Sequence, residues 1–173
     1  MLRLAGVLAV SSSVPLAAAD PFAALGLIRL SGPTLAQDFR TPAPGGGTVM
    51  LSDHHGKVIV LNFWATWCPS CREEMPAMEH VYRRFRDRGL VVLAVSVDAD
   101  GETAVPAFLK ERDLTFPVAL DPGMRIAGQY GVRALPATFL IDRKGRIIAR
   151  AFGAREWDSP DAIAVLEQLL ASP

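Results

Sequence analysis

The feature that most constrains the fold is an apolar run at residues 58–63, Val-Ile-Val-Leu-Asn-Phe. A helical pattern begins shortly after it. The run does not alternate between apolar and polar residues, so it predicts a strand that is covered on both faces. Apolar side chains at steps of three and four predict a helix from about Pro69 to Arg88, and residues 90–97 form a second buried run. This strand–helix–strand order favours an α/β fold with helices on both sides of a mixed sheet.

Shorter elements continue this pattern along the chain. Periodicity, turn residues and capping residues predict an edge strand at 48–52, a helix at 104–112, a strand at 116–119, a helix near 124–130, a hairpin of 137–141 and 146–152, and a last helix from 159 to about 170. The Pro- and Gly-rich residues 41–48 predict a loop. Residues 38–173 are therefore predicted to form one domain around a single core.

The first 19 residues have the pattern of a signal peptide. A positively charged start precedes apolar residues at 4–10, and alanines at 17–19 provide the small residues of a cleavage site. Apolar residues return at 22–28, so an uncleaved membrane anchor is the alternative, although neither apolar patch reaches the ~20 residues that span a bilayer. Both interpretations place the domain outside the cytoplasm, in the periplasm or its equivalent, with residues 20–37 as a tether that has little structure of its own.

The charge balance excludes one class of partner. Eighteen basic and 18 acidic residues are interleaved along the chain, and the sequence pI is near 6.8. No basic surface for nucleic acid is therefore expected. The two cysteines are too few for the framework of a disulfide-dense secreted miniprotein, but they lie close together in the sequence.

Cys68 and Cys71 form a Cys-Pro-Ser-Cys motif where the first buried strand gives way to the helix. As a structural staple, a disulfide across two residues closes too short a loop to restrain the unfolded chain. As half of a zinc site, the motif lacks a second Cys-x-x-Cys, and the three histidines do not have the usual ligand spacing. A dithiol that cycles between oxidised and reduced forms fits the position of the motif. We predict this redox chemistry, with the Cys68–Cys71 disulfide and no other cofactor or metal.

The start of the helix predicts which sulfur reacts. Pro69 suits the first helical position, where its missing N–H costs no hydrogen bond. Cys68 Sγ then faces the free N–H groups and the positive end of the helix, which favours the thiolate, the attacking species. Cys71 lies one turn deeper, so we expect it to stay protonated until it resolves a mixed disulfide at Cys68.

Two runs around these positions resemble one family. They are residues 62–76, Asn-Phe-Trp-Ala-Thr-Trp-Cys-Pro-Ser-Cys-Arg-Glu-Glu-Met-Pro, and residues 130–142, Tyr-Gly-Val-Arg-Ala-Leu-Pro-Ala-Thr-Phe-Leu-Ile-Asp. Both are similar to exported thioredoxin-fold proteins of the TlpA/ResA type, close to the AhpC/TSA redoxin group, and the likeness runs from about residue 36 to the C-terminus. It implies a thioredoxin fold: a mixed central sheet flanked by helices, an N-terminal strand extension, and a helix–strand insertion before a hairpin that begins at a cis-proline.

The resemblance also implies an activity, a substrate class and a reductant. Proteins of this type reduce disulfides of exported proteins, commonly in cytochrome c maturation or in assembly of an oxidase copper site, and a membrane thiol carrier recharges them. Two alternatives stay open: a peroxiredoxin-like thiol peroxidase, because peroxiredoxins share the fold and the insertion, and a Cu(I)-binding chaperone with Cys68 and Cys71 as soft ligands. The direction of electron flow rests on the resemblance alone, because reductants and oxidants share the motif.

Residues around the dithiol acquire expected roles from the same resemblance. Pro136 matches a proline that follows a cis peptide bond, which leaves the Leu135 backbone free to pair with a substrate. Glu74 matches a glutamate near the dithiol, where partial burial lets it exchange a proton with Cys71. The alternative for Glu74 is a solvated helix glutamate like its neighbour Glu73.

Three further positions complete the expected site. Trp67 and Pro69 are expected beside the dithiol on the substrate-binding surface. Thioredoxins carry a buried aspartate six residues before the first cysteine, and this chain has Asn62 there. An amide cannot accept a proton at ordinary pH, so proton handling is expected to fall to Glu74.

Overall fold

A mixed β-sheet flanked by helices organises residues 20–172, the part of the chain that the computed structural model describes. The predicted signal peptide, residues 1–19, lies outside the described residues. The strands are β1 (Ile28–Arg29), β2 (Arg40–Pro42), β3 (Thr48–Met50), β4 (Val58–Trp64), β5 (Leu90–Ser96), β6 (Val118–Leu120), β7 (Ala137–Ile141) and β8 (Ile147–Phe152). The helices are α1 (Pro21–Ala24), α2 (Pro69–Phe85), α3 (Gly101–Arg112), α4 (Arg125–Gln129) and α5 (Pro160–Ala171). Within residues 20–172, no helix is long and apolar enough to cross a membrane.

The main sheet has six strands in the order β1-β8-β7-β4-β5-β6. β5 is parallel to both β4 and β6, whereas β7 is antiparallel to both β4 and β8. Every residue of β4 and β5 is buried, as their non-alternating apolar runs predict. The sheet topology, with α3, β6 and α4 inserted before the β7–β8 hairpin, confirms the predicted thioredoxin fold.

The edge strand predicted at 48–52 is wrong in extent. β3 is shorter and pairs with β2 in a separate two-stranded sheet, and a 3₁₀ turn follows over Leu51–His54. β2 ends in Pro42, which has no N–H to donate to a further strand. The Thr41 hydroxyl instead donates to the carbonyl of Leu120, so the small sheet is held beside β6 through a side chain.

The N-terminal segment, residues 20–37, is part of the folded domain, and the prediction of a tether with little structure is wrong. Phe22, Leu25 and Leu27 are buried in the hydrophobic core. α1 packs against α5, β1 pairs antiparallel with β8, and a single bridge joins Leu35 to Arg146. The largest apolar residues of the patch at 22–28, except the exposed Ile28, therefore belong to the core of this domain.

Candidate active site

The Cys68–Cys71 disulfide lies at the junction between β4 and α2. Cys68 is the N-cap residue of α2 and Pro69 occupies the first helical position, as predicted. The Cα atoms of the two cysteines are 5.3 Å apart. The N–H of Cys71 donates to Cys68 Sγ over 3.3 Å, so a free N–H at the positive end of the helix points at the sulfur expected to attack.

The two cysteines lie at different depths. Cys71 is fully buried and Cys68 is 5% exposed, so the predicted order of depth holds, but only a small part of Cys68 is open in this oxidised form. The flanking side chains are far more accessible. Trp67 is 66% exposed and Pro69 is exposed, which gives the rim of the site an apolar surface.

A buried carboxylate fixes the turn that leads from β4 to the dithiol. Asp98 accepts hydrogen bonds from the Thr66 N–H at 3.0 Å and from the Thr66 hydroxyl at 2.6 Å. The hydroxyl of Ser96 donates to the same carboxylate at 2.7 Å. Because Asp98 follows β5, these bonds tie the approach to Cys68 to the neighbouring parallel strand.

The peptide bond between Leu135 and Pro136 is cis, as the resemblance implied. Pro136 directly precedes β7, which runs antiparallel to β4 with Ala137 opposite Phe63. The start of β7 and the end of β4 therefore meet at one edge of the sheet, the edge from which the chain continues to Cys68. Leu135 is half-buried and Pro136 is buried there.

Glu74 is buried on α2 with its carboxylate surrounded by N–H donors. Oε1 accepts from Asn62 Nδ2 at 2.9 Å, and Oε2 accepts from the backbone N–H of Arg155 and from Trp157 Nε1, both at 3.1 Å. Burial raises the pKa of Glu74 to about 7, although the three hydrogen bonds and the positive charge of Arg155 act in the opposite direction. The solvated alternative does not apply to Glu74, which is 3% exposed, whereas Glu73 is exposed.

Asn62 connects the carboxylate to the strand that begins at the cis-proline. Its Nδ2 donates to Glu74 and also, over 3.0 Å, to the hydroxyl of Thr138 on β7. Asn62 is fully buried, and within residues 20–172 its Oδ1 has no hydrogen-bond partner. The amide therefore turns its donor side to Glu74, which suits an ionised carboxylate.

An open groove of about 510 Å³ runs beside this carboxylate. It lies between α2 and the loop that follows β8, and its lining includes Glu73, Glu74, Arg155, Glu156 and Asp158. The groove therefore borders Glu74, although this residue is only 3% exposed.

Sequence reasoning missed three residues that build the site. Arg155 and Trp157 supply two of the three donors to Glu74, and Asp98 fixes the turn before the dithiol. Arg155 and Trp157 are about 80 residues from Glu74 in the chain, and no spacing rule connects them. An acidic residue at the end of a buried strand was the one available signal, and it would have pointed to Asp98.

In the reduced form, Cys68 and Cys71 are the residues of this site that can ligate a soft metal ion.

Comparisons with known proteins identify one family and a set of similarly named relatives. Residues 34–150 match the AhpC/TSA family. A thiol-disulfide oxidoreductase ResA of Bacillus cereus is 43% identical over 108 residues, which are 62% of this chain and 62% of that protein. ResA of Bacillus subtilis (strain 168) is 38% identical over 113 residues, 65% of this chain and 63% of that protein. The chain thus spans less than two thirds of the length of these relatives.

Solved structures match a larger share of the chain than the sequence relatives do. A crystal structure from Chlorobium tepidum, described as a thiol:disulfide interchange protein DsbE, has a TM-score of 0.75 and 35% sequence identity, covering 82% of this chain and 99% of that one. A second thiol:disulfide interchange protein, a thioredoxin family protein from Chlorobium tepidum TLS, has a TM-score of 0.70 and 27% identity, with 82% and 99% covered.

Proposed function

We propose that this chain, which belongs to the AhpC/TSA family of thioredoxin-like proteins, is a thiol-disulfide oxidoreductase that reduces disulfides of proteins outside the cytoplasm. The observation that carries the proposal is the disulfide at the start of α2, in which Cys68 Sγ accepts the N–H of Cys71. The names of the ResA and DsbE relatives support thiol–disulfide exchange as the reaction. The dithiol itself carries two electrons, so the proposed reaction uses no other cofactor.

The first step is attack by the outer sulfur of the reduced protein. The thiolate of Cys68 forms a bond to one sulfur of the substrate disulfide, and the substrate S–S bond breaks. The departing substrate sulfur leaves as a thiolate and takes a proton from water. The N–H groups at the start of α2 favour this step because they stabilise the thiolate of Cys68.

The second step resolves the mixed disulfide. Cys71 loses its proton and attacks Cys68 Sγ, which breaks the mixed disulfide and releases the second substrate sulfur as a thiolate that is then protonated. The Cys68–Cys71 disulfide forms, and the substrate has gained two electrons and two protons. Glu74 lies three residues beyond Cys71 on the same face of α2, and with its pKa near 7 it can accept the Cys71 proton at neutral pH.

The substrate is proposed to bind in extended form across the edge where β4 ends and β7 begins. Leu135 directly precedes Pro136 and the start of β7, and its backbone groups are proposed to pair with a substrate strand at this edge. Trp67 and Pro69 supply exposed apolar contacts beside Cys68. Disulfide-bearing exported proteins are the proposed substrate class.

The proposed setting is extracytoplasmic. The signal-peptide pattern of residues 1–19 supports export, with an uncleaved anchor as the alternative. A membrane thiol carrier would return two electrons to the Cys68–Cys71 disulfide after each cycle. Cytochrome c maturation or assembly of an oxidase copper site is the proposed process.

The midpoint potential of the Cys68–Cys71 pair tests the direction of electron flow. Equilibration with graded dithiol–disulfide buffers, followed by trapping of free thiols, gives this potential. We expect a value near or below that of thioredoxin, about −270 mV. A value near that of a strong periplasmic oxidant, about −120 mV, would overturn the assignment as a reductase.

Single-cysteine variants test the roles of the two sulfurs. Reduced protein should reduce a peptide disulfide, Cys68→Ser should be inactive, and Cys71→Ser should accumulate a mixed disulfide with the peptide. Two results would contradict the oxidoreductase proposal: consumption of hydrogen peroxide without exchange with the peptide, which indicates a thiol peroxidase, and stoichiometric Cu(I) binding without exchange, which indicates a copper chaperone.

A further inference from the structure

Arg155 makes an unusual number of contacts with backbone carbonyls. Its guanidinium donates to five of them, in two segments of the chain: Leu25 at 2.8 Å, Gly26 at 3.1 Å, Phe152 at 3.3 Å, Gly153 at 3.1 Å and Ala154 at 2.9 Å. The first two carbonyls belong to the N-terminal segment, and the other three belong to the end of β8 and the loop after it. The side chain therefore clamps this loop to the N-terminal segment.

The same residue contacts the carboxylate beside the dithiol through its backbone. The N–H of Arg155 donates to Glu74 Oε2, and Trp157 Nε1, two residues further along the same loop, donates to the same oxygen. The side-chain clamp and one donor to Glu74 thus belong to the same residue. The position of the loop determines where both donors, the Arg155 N–H and Trp157 Nε1, lie. Loss of the clamp would leave the loop free to move away from Glu74.

We infer that Arg155 is a positioning residue for disulfide exchange: its guanidinium holds the loop so that the Arg155 N–H and the Trp157 indole stay directed at the Glu74 carboxylate. The inference rests on the proposed function, because it assumes that Glu74 accepts the proton of Cys71. The donors stabilise the ionised carboxylate, and they therefore keep it able to accept a proton at neutral pH.

Arg155 is one of several charged residues that line the groove beside Glu74. On α2, Glu73 is the adjacent carboxylate, and on the loop Glu156 and Asp158 line the same groove. The positive charge of Arg155 favours ionisation of Glu74, in addition to the hydrogen bond from its backbone N–H. The groups contributed by β4 and β7, Asn62 and Thr138, are uncharged.

The pH dependence of exchange tests the inference, with Arg155→Ala as the variant. If Glu74 must be ionised to accept a proton, the rate rises with pH through the titration of Glu74. Loss of the clamp should move the midpoint of this rise up by about half to one pH unit, which slows exchange about 3- to 10-fold on the acidic side. Arg155→Lys keeps the charge without the forked donors, so we expect an intermediate shift.

Arg143 provides a matched control. Its guanidinium also donates to three backbone carbonyls, those of Gly56, Arg88 and Leu170, in a different part of the fold. Arg143→Ala should therefore lower stability without moving the pH midpoint. Equal midpoints for Arg155→Ala, Arg143→Ala and the wild type would overturn the inference.

A second measurement separates this inference from the proposed function. The ¹³C chemical shift of the Glu74 carboxyl, followed by NMR in the oxidised protein, reports its titration without any catalysis. A higher midpoint in Arg155→Lys than in wild type is expected, and an unchanged midpoint contradicts the clamp even if Arg155→Ala does not fold. If Glu74→Gln leaves the pH profile of exchange unchanged, the proposal that Glu74 accepts the proton is wrong. If Glu74→Gln abolishes the rise of the rate with pH but Arg155→Lys has no effect, only the clamp is refuted.

Discussion

At the scale of single residues, Glu74 shows how burial can outweigh hydrogen bonding. Three N–H donors surround its carboxylate, and each one favours the charged form. Burial nevertheless raises the pKa of Glu74 from an ordinary value of 4.5 to about 7. The donors therefore do not make the group a permanent anion. They bring it back to the range in which it can both take and return a proton near neutral pH.

This raised pKa predicts how stability changes with pH. The folded protein holds the Glu74 proton more tightly than the unfolded chain, so the associated stability is complete below pH 4.5 and is lost as pH rises to about 7. The difference between the Glu74 pKa in the folded and unfolded states corresponds to about 3 kcal/mol in the free energy of unfolding. Relative to Glu74→Gln, the oxidised wild-type protein should lose up to this amount between pH 4 and pH 8, measured by urea denaturation at a series of pH values.

The oxidised form is the right sample for this measurement because the disulfide removes both thiols from the titration. Glu73→Gln is the control, since Glu73 is exposed and adjacent in the sequence. Its stability should follow the wild-type pH dependence. Parallel curves for Glu74→Gln and the wild type would contradict the raised pKa.

The sequence identifies the residues of this site where they are close in the chain or belong to a family motif. Cys68, Cys71 and Glu74 fall within two turns of one helix, so their spacing places them near each other, whereas Pro136 is distant in the chain and was identified through the family resemblance. Arg155 and Trp157 reach Glu74 from a loop after β8, and their contribution depends on tertiary packing that no local pattern encodes.

At the scale of elements, the start of α2 determines the chemistry of the dithiol. Cys68 is the N-cap, Pro69 takes the first helical position, and the N–H of Cys71 donates to Cys68 Sγ. A thiolate is stabilised there by both hydrogen bonding and the helix dipole. Cys71, one turn deeper and fully buried, has neither solvent nor the helix terminus to stabilise its charge.

This asymmetry predicts different reactivity for the two thiols. With Cys71→Ser, the remaining Cys68 should react with iodoacetamide at pH 7 about tenfold faster than free cysteine, because more of it is thiolate. With Cys68→Ser, the remaining Cys71 should react more slowly than free cysteine. Mass spectrometry of timed samples gives both rates, and a Cys68 no faster than free cysteine would refute stabilisation by the helix terminus.

The elements that the sequence predicts well are those whose pattern reflects burial. β4 and β5 are uninterrupted apolar runs, and a sheet covered on both faces is the environment that such runs require. β1 escapes prediction because both of its residues are exposed and it joins the sheet through backbone pairing with β8. β3 is found but predicted two residues too long, because a 3₁₀ turn takes the place of its last two residues.

At the scale of the whole molecule, the N-terminal segment changes from a predicted tether to part of the core. Its apolar side chains are hidden between α1 and the rest of the domain, and the Arg29 guanidinium lies 4.1 Å from the centre of the Phe22 ring. Arg155 then joins the same segment to the loop that contacts Glu74. The fold thus connects residues 20–30 to the active site by one side chain.

If the segment belongs to the core, removing its largest buried side chain must destabilise the entire domain. Phe22 is 1% exposed, so Phe22→Ala should lower the free energy of unfolding by about 3 kcal/mol, with one cooperative transition retained. Leu35→Ala is the control within the same segment, because Leu35 is 67% exposed and its loss should change stability by less than about 0.5 kcal/mol. Urea denaturation measures both variants. Equal stabilities of Phe22→Ala and the wild type would mean that packing of Phe22 contributes nothing to the fold, and the clamp between this segment and the Glu74 loop would then lack the support of a packed side chain.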